Sequence, residues 1–218
     1  MLPTFKNSQL LQTALSHRSI LNESATLESN ERMEFLGDAV LELITTEWLY
    51  KRFPQEQEGK LTSFRASLVK TTTLSTISKE LGLDDMIKMS NGEEHSGGRS
   101  NVGILADTFE AFLGALYLDQ GFEACKNFVS AVLFPHFDEI LELGLYRDYK
   151  SSLQELVQSQ GKSTPVYRTV SESGPDHMKT FLVEVSVDDQ TLGSGSGKSK
   201  QDASAAAAKT ALEKLGGS

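Results

Sequence analysis

Cysteine and long apolar segments are both scarce in this sequence of 218 residues, and each shortage excludes a class of protein. Cys125 is the single cysteine, so no disulfide can form within the chain, and we expect a reducing, cytoplasmic setting. No segment approaches the roughly 18 consecutive apolar residues of a membrane-spanning helix. The first residues, MLPTFKNSQL, lack the apolar core of a signal peptide. The sequence therefore favours a cytoplasmic protein without a membrane partner.

Basic residues are outnumbered by acidic ones, and the imbalance is uneven along the chain. The formal net charge is −9, which argues against a protein that coats nucleic acid by positive charge alone. Residues 1–147 carry 13 basic and 21 acidic side chains, whereas residues 148–218 carry 8 and 9. The acidity belongs to the first part of the chain, so a site built from carboxylates is expected there.

The segment NERMEFLGDAVL, residues 30–41, places acids on one face of a predicted helix that ends near Phe53. At about 100° per residue, Glu31, Glu34 and Asp38 fall within about 60° of one another. Because buried carboxylates lose water and repel one another, a bound cation would compensate them best. The alternative is a solvated acidic face on an ordinary amphipathic helix. Apolar residues on the other sides predict that the helix is buried on most of its circumference; they are Met33, Leu36, Val40, Leu43 and Ile44.

A second predicted helix, residues 104–119, carries Asp107 and Glu110 three positions apart among apolar residues. Together with Glu34 and Asp38, these acids would repel one another in a water-poor site unless they held hard cations. An all-oxygen ligand set without nearby His or Cys favours Mg²⁺, with Mn²⁺ as a possible substitute, over zinc. Such a site suits phosphodiester hydrolysis, because the metal activates the attacking water and stabilises the leaving oxygen.

The sequence pattern changes at residues 144–148, which we interpret as a linker between domains 1–143 and 149–218. Before the linker, the spacing of apolar residues predicts helices throughout, and the Gly- and Ser-rich segment 90–101 predicts a loop. The first domain is therefore predicted to be all-α.

Beyond the linker, a predicted helix over residues 149–160 is followed by three alternating segments, VYRTVS, TFLVEVSV and QTLGSGSG. They predict a three-stranded antiparallel sheet, and an Ala-rich helix over residues 201–215 completes a small α+β domain of order α-β-β-β-α. The segment GSGSGKS is not a Walker A motif, because Leu192 stands where that motif needs Gly. No nucleotide cofactor is therefore expected.

NERMEFLGDAV and the downstream GILADTFEAFLGALYLD resemble the two acidic helices of the ribonuclease III family, and the match extends over essentially the whole chain. The resemblance implies a homodimeric, Mg²⁺-dependent endonuclease specific for double-stranded RNA. It also implies products with 5′-phosphates and short 3′ overhangs, and processing of ribosomal RNA precursors and other structured transcripts.

The same resemblance implies a role for each acid of the two helices. It makes Glu34, Asp38, Asp107 and Glu110 the metal ligands, with Asp38 and Glu110 as the catalytic residues. Glu31 and Glu58 match supporting acids of the family's cleavage valley. Phe35 is similar to a residue that family members insert into a pocket of the partner subunit, although plain core packing is an open alternative.

The second domain resembles a double-stranded RNA-binding domain, which reads the shape of the A-form duplex. By that resemblance Gln154, Gln158 and His177 contact minor-groove 2′-hydroxyls and base edges, and Lys198 and Lys200 contact phosphates. The chain departs from the usual pattern because acidic residues stand close to this predicted RNA face. We therefore expect a modest and salt-sensitive affinity for RNA.

Two other functions are compatible with parts of this pattern. The first is a non-catalytic, double-stranded RNA-binding scaffold, in which the nuclease fold only dimerises. The second is a helical phosphohydrolase acting on small molecules, which leaves the predicted RNA-binding residues unexplained. A two-fold dimer is expected for the nuclease because opposed cuts in a duplex require two active sites.

Overall fold

The computed structural model describes residues 2–23, 28–175 and 178–216. Its contacts divide the chain into two compact units, Met1–Tyr146 and Arg147–Ser218. Each unit has a hydrophobic core of its own. Within the described ranges, no helix is both long enough and apolar enough to cross a membrane.

The first unit is built from helices, as the sequence predicts. The first acidic helix lies between Asn30 and Phe53. The second acidic helix begins after Asn101, whose side chain accepts hydrogen bonds from backbone N–H groups in the first turn of that helix. The α-helices are α1 Ser8–Ala14, α2 Glu31–Arg52, α3 Glu58–Leu68, α4 Thr71–Glu80, α5 Leu83–Met86, α6 Asn91–His95, α7 Val102–Gln120, α8 Phe122–Val132 and α9 His136–Glu142, with 3₁₀ turns at Arg18–Asn22 and Gly98–Ser100.

Aromatic side chains from several helices form the centre of the first core. Phe64 of α3 and Phe137 of α9 are buried, with ring centroids 5.3 Å apart in an edge-to-face arrangement. Trp48 of α2 stacks on Phe134 at 4.1 Å and meets Phe137 edge-on at 5.2 Å. Truncating a buried phenylalanine to alanine typically costs about 3–5 kcal/mol, so these contacts fix α2 firmly within the unit.

The segment 90–101 is largely helical, so its prediction as a loop is wrong. Ser90 precedes α6 as its N-cap, and its side-chain oxygen accepts a hydrogen bond from the backbone N–H of Glu93 at 3.3 Å. The guanidinium of Arg99 donates to the carbonyl of Ile87 at 3.1 Å. Helix caps and hydrogen bonds from side chains to backbone groups elsewhere in the chain stabilise short helices in this Gly- and Ser-rich segment. Local composition does not reveal such contacts.

The outer face of α2 is more exposed than the sequence pattern predicts. Leu43 is 58% exposed and Phe35 is 82% exposed, whereas Val40 and Ile44 are buried as expected. The prediction that α2 is covered on most of its circumference is therefore wrong. Plain packing of Phe35 in the core of its own chain is excluded as well.

The second unit has the predicted order α-β-β-β-α. Its three strands form one antiparallel sheet in which each strand pairs with the next along the chain. Two residues with positive φ, Asp188 and Asp189, form the turn that joins the last two strands. Leu153 and Val157 are buried on the sheet side of the first helix. The elements are α10 Tyr149–Ser159, β1 Val166–Ser173, β2 Thr180–Val187, β3 Gln190–Gly197 and α11 Lys200–Lys214.

Glycines in β3 let α11 lie directly against the sheet. A Cβ atom at Gly195 would lie 2.3 Å from the backbone nitrogen of Ala207, and one at Gly193 would lie 2.6 Å from the carbonyl oxygen of the same residue. Real Cβ atoms do not approach backbone atoms this closely, so β3 depends on glycine here. The packing explains why the last helix is rich in alanine.

Candidate functional site

Carboxylates from α2 and α7 meet in the first unit. Glu34 of α2 and Asp107 and Glu110 of α7 each offer an oxygen, and these atoms all lie within 4.8 Å of one another. All three side chains are half-buried. Asp107 and Glu110 share one face of α7 because residues three apart are neighbours on a helix.

A close crossing of the two helices brings these carboxylates together. A Cβ atom built on Gly37 of α2 would lie 1.8 Å from the carbonyl oxygen of Glu110. On the other side of the crossing, a Cβ atom on Gly114 of α7 would lie 2.2 Å from the carbonyl oxygen of Met33. Only residues without a side chain allow the two backbones to approach this closely.

The electrostatics of the cluster oppose full ionisation in the absence of a cation. Burial, together with the neighbouring charges of Asp38, Asp107 and Glu34, raises the pKa of Glu110 to about 8. Burial also raises the pKa of Glu34, with a contribution from Asp107. The pKa of Asp107 is raised by burial too. Repulsion of this kind is relieved when carboxylates share a cation.

The donor set of the cluster fits a hard divalent ion. It consists of three carboxylate groups, and oxygen ligands of this kind suit Mg²⁺, Ca²⁺ and Mn²⁺. The raised pKa values indicate that binding would displace protons, because ligating carboxylates must be ionised. The cluster is therefore a site that could bind a metal ion.

The remaining acids predicted from sequence lie around this cluster in different ways. Asp38 is exposed on α2 and is not one of its three members, although its charge reaches both Glu34 and Glu110. Glu31 is exposed at the start of α2, where it accepts a hydrogen bond from the Ser29 hydroxyl at 2.9 Å. Glu58 begins α3 and accepts a hydrogen bond from Thr62 of the same helix at 3.3 Å.

Sequence reasoning did not single out two charged groups beside the cluster. Glu42 lies one turn beyond Asp38 on α2, its charge reaches Glu110, and Arg65 pairs with it at 2.8 Å. The spacing of four residues was a usable signal for Glu42. Arg18 lies in the first 3₁₀ turn, and its charge lowers the pKa of Glu34 and of Asp107 against the larger effect of burial. Nothing in the local sequence indicates that the charge of this arginine reaches acids of both α2 and α7.

The residues predicted to contact RNA from α10 are exposed on one face of this helix. Gln154 and Gln158 are exposed and stand four positions apart, so they share a face that points away from the buried Leu153 and Val157. His177 lies outside the described residues.

The N-terminus of α11 is capped by a side chain, and one of the two lysines beside it is held in an ion pair. Lys198 and Lys200 are both exposed, but Lys200 pairs with Glu172 of β1 at 3.0 Å. The Ser199 hydroxyl accepts a hydrogen bond from the backbone N–H of Asp202 at 3.1 Å and donates to its carboxylate at 2.8 Å. This cap uses one of the N–H groups that a phosphate could otherwise bind, so the lysine side chains are the main positive groups here.

Comparisons with known proteins cover both units. A family model described as Ribonuclease-III-like matches residues 7–137, and a model of the double-stranded RNA binding motif matches residues 149–215. The chain is 49% identical to Ribonuclease 3 of Streptococcus gordonii over 96% of this chain and 91% of that protein. It is 45% identical to Ribonuclease 3 of Bdellovibrio bacteriovorus over 96% of this chain and 90% of that protein.

Solved structures give a matching result for the first unit. A nuclease domain of ribonuclease III from Campylobacter jejuni, solved in a study of a flexible region involved in dimer formation, aligns with a TM-score of 0.58. The sequences are 40% identical, and the alignment covers 62% of this chain and 92% of that one.

Proposed function

This chain belongs to the ribonuclease III family of double-stranded RNA endoribonucleases, and we propose that it cleaves its substrate by divalent-metal-dependent hydrolysis. The observation that supports this mechanism is the cluster of Glu34, Asp107 and Glu110, whose oxygens lie within 4.8 Å of one another. The physiological ion we propose is Mg²⁺, and we expect Mn²⁺ to replace it.

In this proposal Glu34, Asp107 and Glu110 hold the ion together with Asp38, and Asp38 and Glu110 are the catalytic residues. When bound, the ion lowers the pKa of the attacking water and offsets charge on the leaving oxygen. The water oxygen forms a bond to phosphorus, the bond from phosphorus to O3′ breaks, and the proton lost by the water balances the proton gained by O3′. The products carry a 5′-phosphate and a 3′-hydroxyl.

The supporting acids act through charge in this scheme. Glu31 adds negative potential near Glu34, which favours retention of a cation. Glu58 is proposed to act in the wider cleavage valley, and its exposed position at the start of α3 leaves it accessible to substrate or a second ion. Two active sites facing one duplex would give staggered cuts with short 3′ overhangs.

The second unit binds double-stranded RNA, and we propose which side chains make the contacts. The exposed Gln154 and Gln158 of α10, together with His177, would address 2′-hydroxyls and base edges in the minor groove. Lys198 and Lys200 would address phosphates. The short distance between Lys200 and Glu172 supports the expectation of a modest affinity.

A homodimer is proposed from the exposed apolar side chains of α2. Phe35, Leu43 and Tyr50 are largely exposed along this helix, and large exposed apolar groups in a row are typical of an interface. Phe35 is the residue we propose to enter a pocket of the partner. Sedimentation of the full chain at micromolar concentration should give the mass of a dimer. A monomeric mass together with full double-strand cleavage would contradict the proposal.

We also propose that the enzyme acts in the cytoplasm on ribosomal RNA precursors and other structured transcripts. The cytoplasmic setting is supported by the single cysteine, which is buried and free. The alternative of a non-catalytic scaffold predicts that one of the acids would be missing, yet all of them are present. A small-molecule phosphohydrolase would be indifferent to duplex length.

The mechanism is tested by cleavage of a long RNA duplex in Mg²⁺, Mn²⁺, Ca²⁺ and EDTA. Cleavage in Mg²⁺ and Mn²⁺, with duplex binding but no cleavage in Ca²⁺, is the expected pattern. Ligation of the products to an acceptor RNA reports the 5′-phosphate. Cleavage in EDTA would contradict metal dependence, and binding without cleavage in either active metal would favour the scaffold.

Removing the acid that pairs with Lys200 is expected to strengthen duplex binding. An exposed ion pair is worth about 0.5–1 kcal/mol, so Glu172→Gln should raise the affinity about two- to fivefold. Each further phosphate contact steepens the salt dependence, so the slope of log K against log [salt] should become more negative by up to about 0.9. Filter binding in Ca²⁺ at several salt concentrations measures both quantities.

The matched control for this prediction is Glu213→Gln, which makes the same change in net charge near the other end of α11. The two positions on α11, Lys200 and Glu213, are separated by about 20 Å along the helix. Equal effects of both substitutions would show that overall charge, and not the release of Lys200, sets the affinity.

A further inference from the structure

Arg18 is held in a fixed place by the backbone on both sides of it. The N–H of His17 donates to the carbonyl of Lys88 at 2.9 Å, and the hydroxyl of Ser19 accepts from the N–H of Ser90 at 3.0 Å. The ring nitrogen Nδ1 of His17 also lies 2.9 Å from the Ser19 hydroxyl. The 3₁₀ turn that begins at Arg18 is therefore fastened to the chain between α5 and α6.

The guanidinium itself is held only loosely. In the described part of the chain, Arg18 forms one ion pair, in which its Nη1 lies 3.9 Å from Oε1 of Glu31. This distance is too long for a hydrogen bond, and the side chains of Arg18 and Glu31 are 72% and 54% exposed. A fixed backbone with a free cationic end can serve a ligand without a large rearrangement.

The charge of the Arg18 guanidinium acts on members of the carboxylate cluster. Its ion-pair partner Glu31 lies in the first turn of α2 with Glu34, a member of the cluster. In agreement with this placement, the charge of Arg18 acts on Glu34 and on Asp107 of α7. A duplex bound for cleavage must bring a phosphate to the carboxylate cluster, and the acids around the cluster repel that phosphate. Arginine suits this contact because its planar fork of N–H groups matches two phosphate oxygens.

We propose that Arg18 binds the phosphate at or next to the scissile bond and holds it against the carboxylate cluster. The inference rests on the proposed hydrolytic function and deepens it, because it assigns a substrate contact outside the two acidic helices. Arg18 donates N–H groups to non-bridging phosphate oxygens, whose negative charge increases as the water attacks. In the free enzyme the weak pairing with Glu31 keeps the guanidinium near this position.

The test compares the full-length wild type with Arg18→Gln and Arg18→Lys in single-turnover cleavage at saturating Mg²⁺. Loss of one donor to a charged reacting group typically costs about 100-fold, so we expect Arg18→Gln to lower the rate about 10- to 100-fold. Arg18→Lys keeps the charge without the fork and should recover part of the rate. Duplex affinity in Ca²⁺ should change by less than about threefold, because the second unit supplies most phosphate contacts.

Binding of Mn²⁺ to the RNA-free protein, followed by electron paramagnetic resonance, separates this role from support of the metal site. Removing a positive charge beside the acids should leave the Mn²⁺ affinity unchanged or increase it. A fall in Mn²⁺ affinity that parallels the fall in rate would overturn the proposal, because Arg18 would then act on the acids and not on RNA. An unchanged cleavage rate in Arg18→Gln would overturn it as well.

Arg52→Gln is the matched control. Arg52 is also an exposed arginine in an ion pair, with Asp138 at 3.4 Å, and it lies about 21 Å along α2 from Asp38. This variant should cleave at the wild-type rate. Failure of the wild type to cleave in Mg²⁺ and Mn²⁺ would remove the hydrolytic function and the role of Arg18 together, whereas cleavage by the wild type and by Arg18→Gln alike would remove only the role of Arg18.

Discussion

Replacing Glu110 by Gln is expected to lower the rate of duplex cleavage about 1,000-fold while leaving duplex binding within about threefold of the wild type. The substitution keeps the shape of the side chain but removes the charge of a half-buried carboxylate that belongs to the cluster with Glu34 and Asp107. RNA affinity is retained because the second unit is unaffected. Single-turnover cleavage in Mg²⁺ and filter binding in Ca²⁺ measure the two effects.

The same substitution that lowers the cleavage rate is expected to increase the stability of the metal-free protein at high pH, and this increase serves as a control. The pKa of Glu110 is raised to about 8 from its ordinary 4.5 by burial and by the neighbouring carboxylates, so the folded metal-free protein holds a proton that the unfolded chain releases between these values. Stability therefore falls as pH rises from about 4.5 to about 8. Glu110→Gln removes this effect, so its urea midpoint in EDTA at pH 8.5 should exceed that of the wild type. Trp48, the single tryptophan, reports unfolding of the first unit by fluorescence.

Glu123→Gln is the matched control for the loss of charge. Glu123 is exposed at the start of α8, and its substitution should leave cleavage unchanged. If Glu110→Gln cleaved RNA as fast as Glu123→Gln, the carboxylate cluster would play no part in catalysis. If Glu110→Gln unfolded at lower urea concentration than the wild type at pH 8.5, its inactivity would reflect damage to the fold.

Adding one methyl group at the helix crossing is expected to damage both stability and activity. In Gly37→Ala the new Cβ would lie 1.8 Å from the carbonyl oxygen of Glu110 and 2.6 Å from the carbonyl carbon, so α2 and α7 must move apart. Overpacking against backbone costs about 3 kcal/mol in the free energy of unfolding. A displacement of about 1 Å between the carboxylates should lower the cleavage rate of the folded fraction about 10- to 100-fold. Urea unfolding and single-turnover cleavage check the two values.

Gly59→Ala makes the same chemical change at a helical glycine with open space around it. Gly59 is in the first turn of α3, and among the described residues no atom outside the neighbouring backbone lies within 4 Å of a Cβ built there. Because alanine is the better helix former, this variant should gain about 0.5–1 kcal/mol in stability and keep full activity. A Gly37→Ala protein as stable and active as Gly59→Ala would show that the crossing tolerates a side chain.

The helical periodicity of the sequence was sufficient to predict both acidic helices and the order of the second unit. The acids at positions 34, 107 and 110 fall on inward faces because residues three or four apart on a helix share a side. Alternation in the three strands predicted the antiparallel sheet, which is confirmed, and the observed order β1-β2-β3 follows from short connections.

Tertiary packing decided the features that the sequence did not reveal. Periodicity placed Leu43 among the buried residues, but burial depends on which neighbours cover a face, and α2 is uncovered there. It grouped Asp38 with Glu34, yet Glu34 is half-buried and joins the cluster with Asp107 and Glu110 of α7, whereas Asp38 is exposed. Arg18 comes from a turn outside both acidic segments, so no spacing rule applied to it.

The glycines at the helix crossing also set conditions for transferring this carboxylate centre to a designed protein. A scaffold that copied only the acidic positions would keep its two helices at the usual separation of about 8–10 Å, and the oxygens would be too far apart to share one ion. The design would need glycine at both positions that correspond to Gly37 and Gly114. It would also need enough packing elsewhere to offset the lower helix propensity of glycine, about 1 kcal/mol at each position. The smallest transferable module is therefore the pair of crossed helices, with its acids and its glycines together.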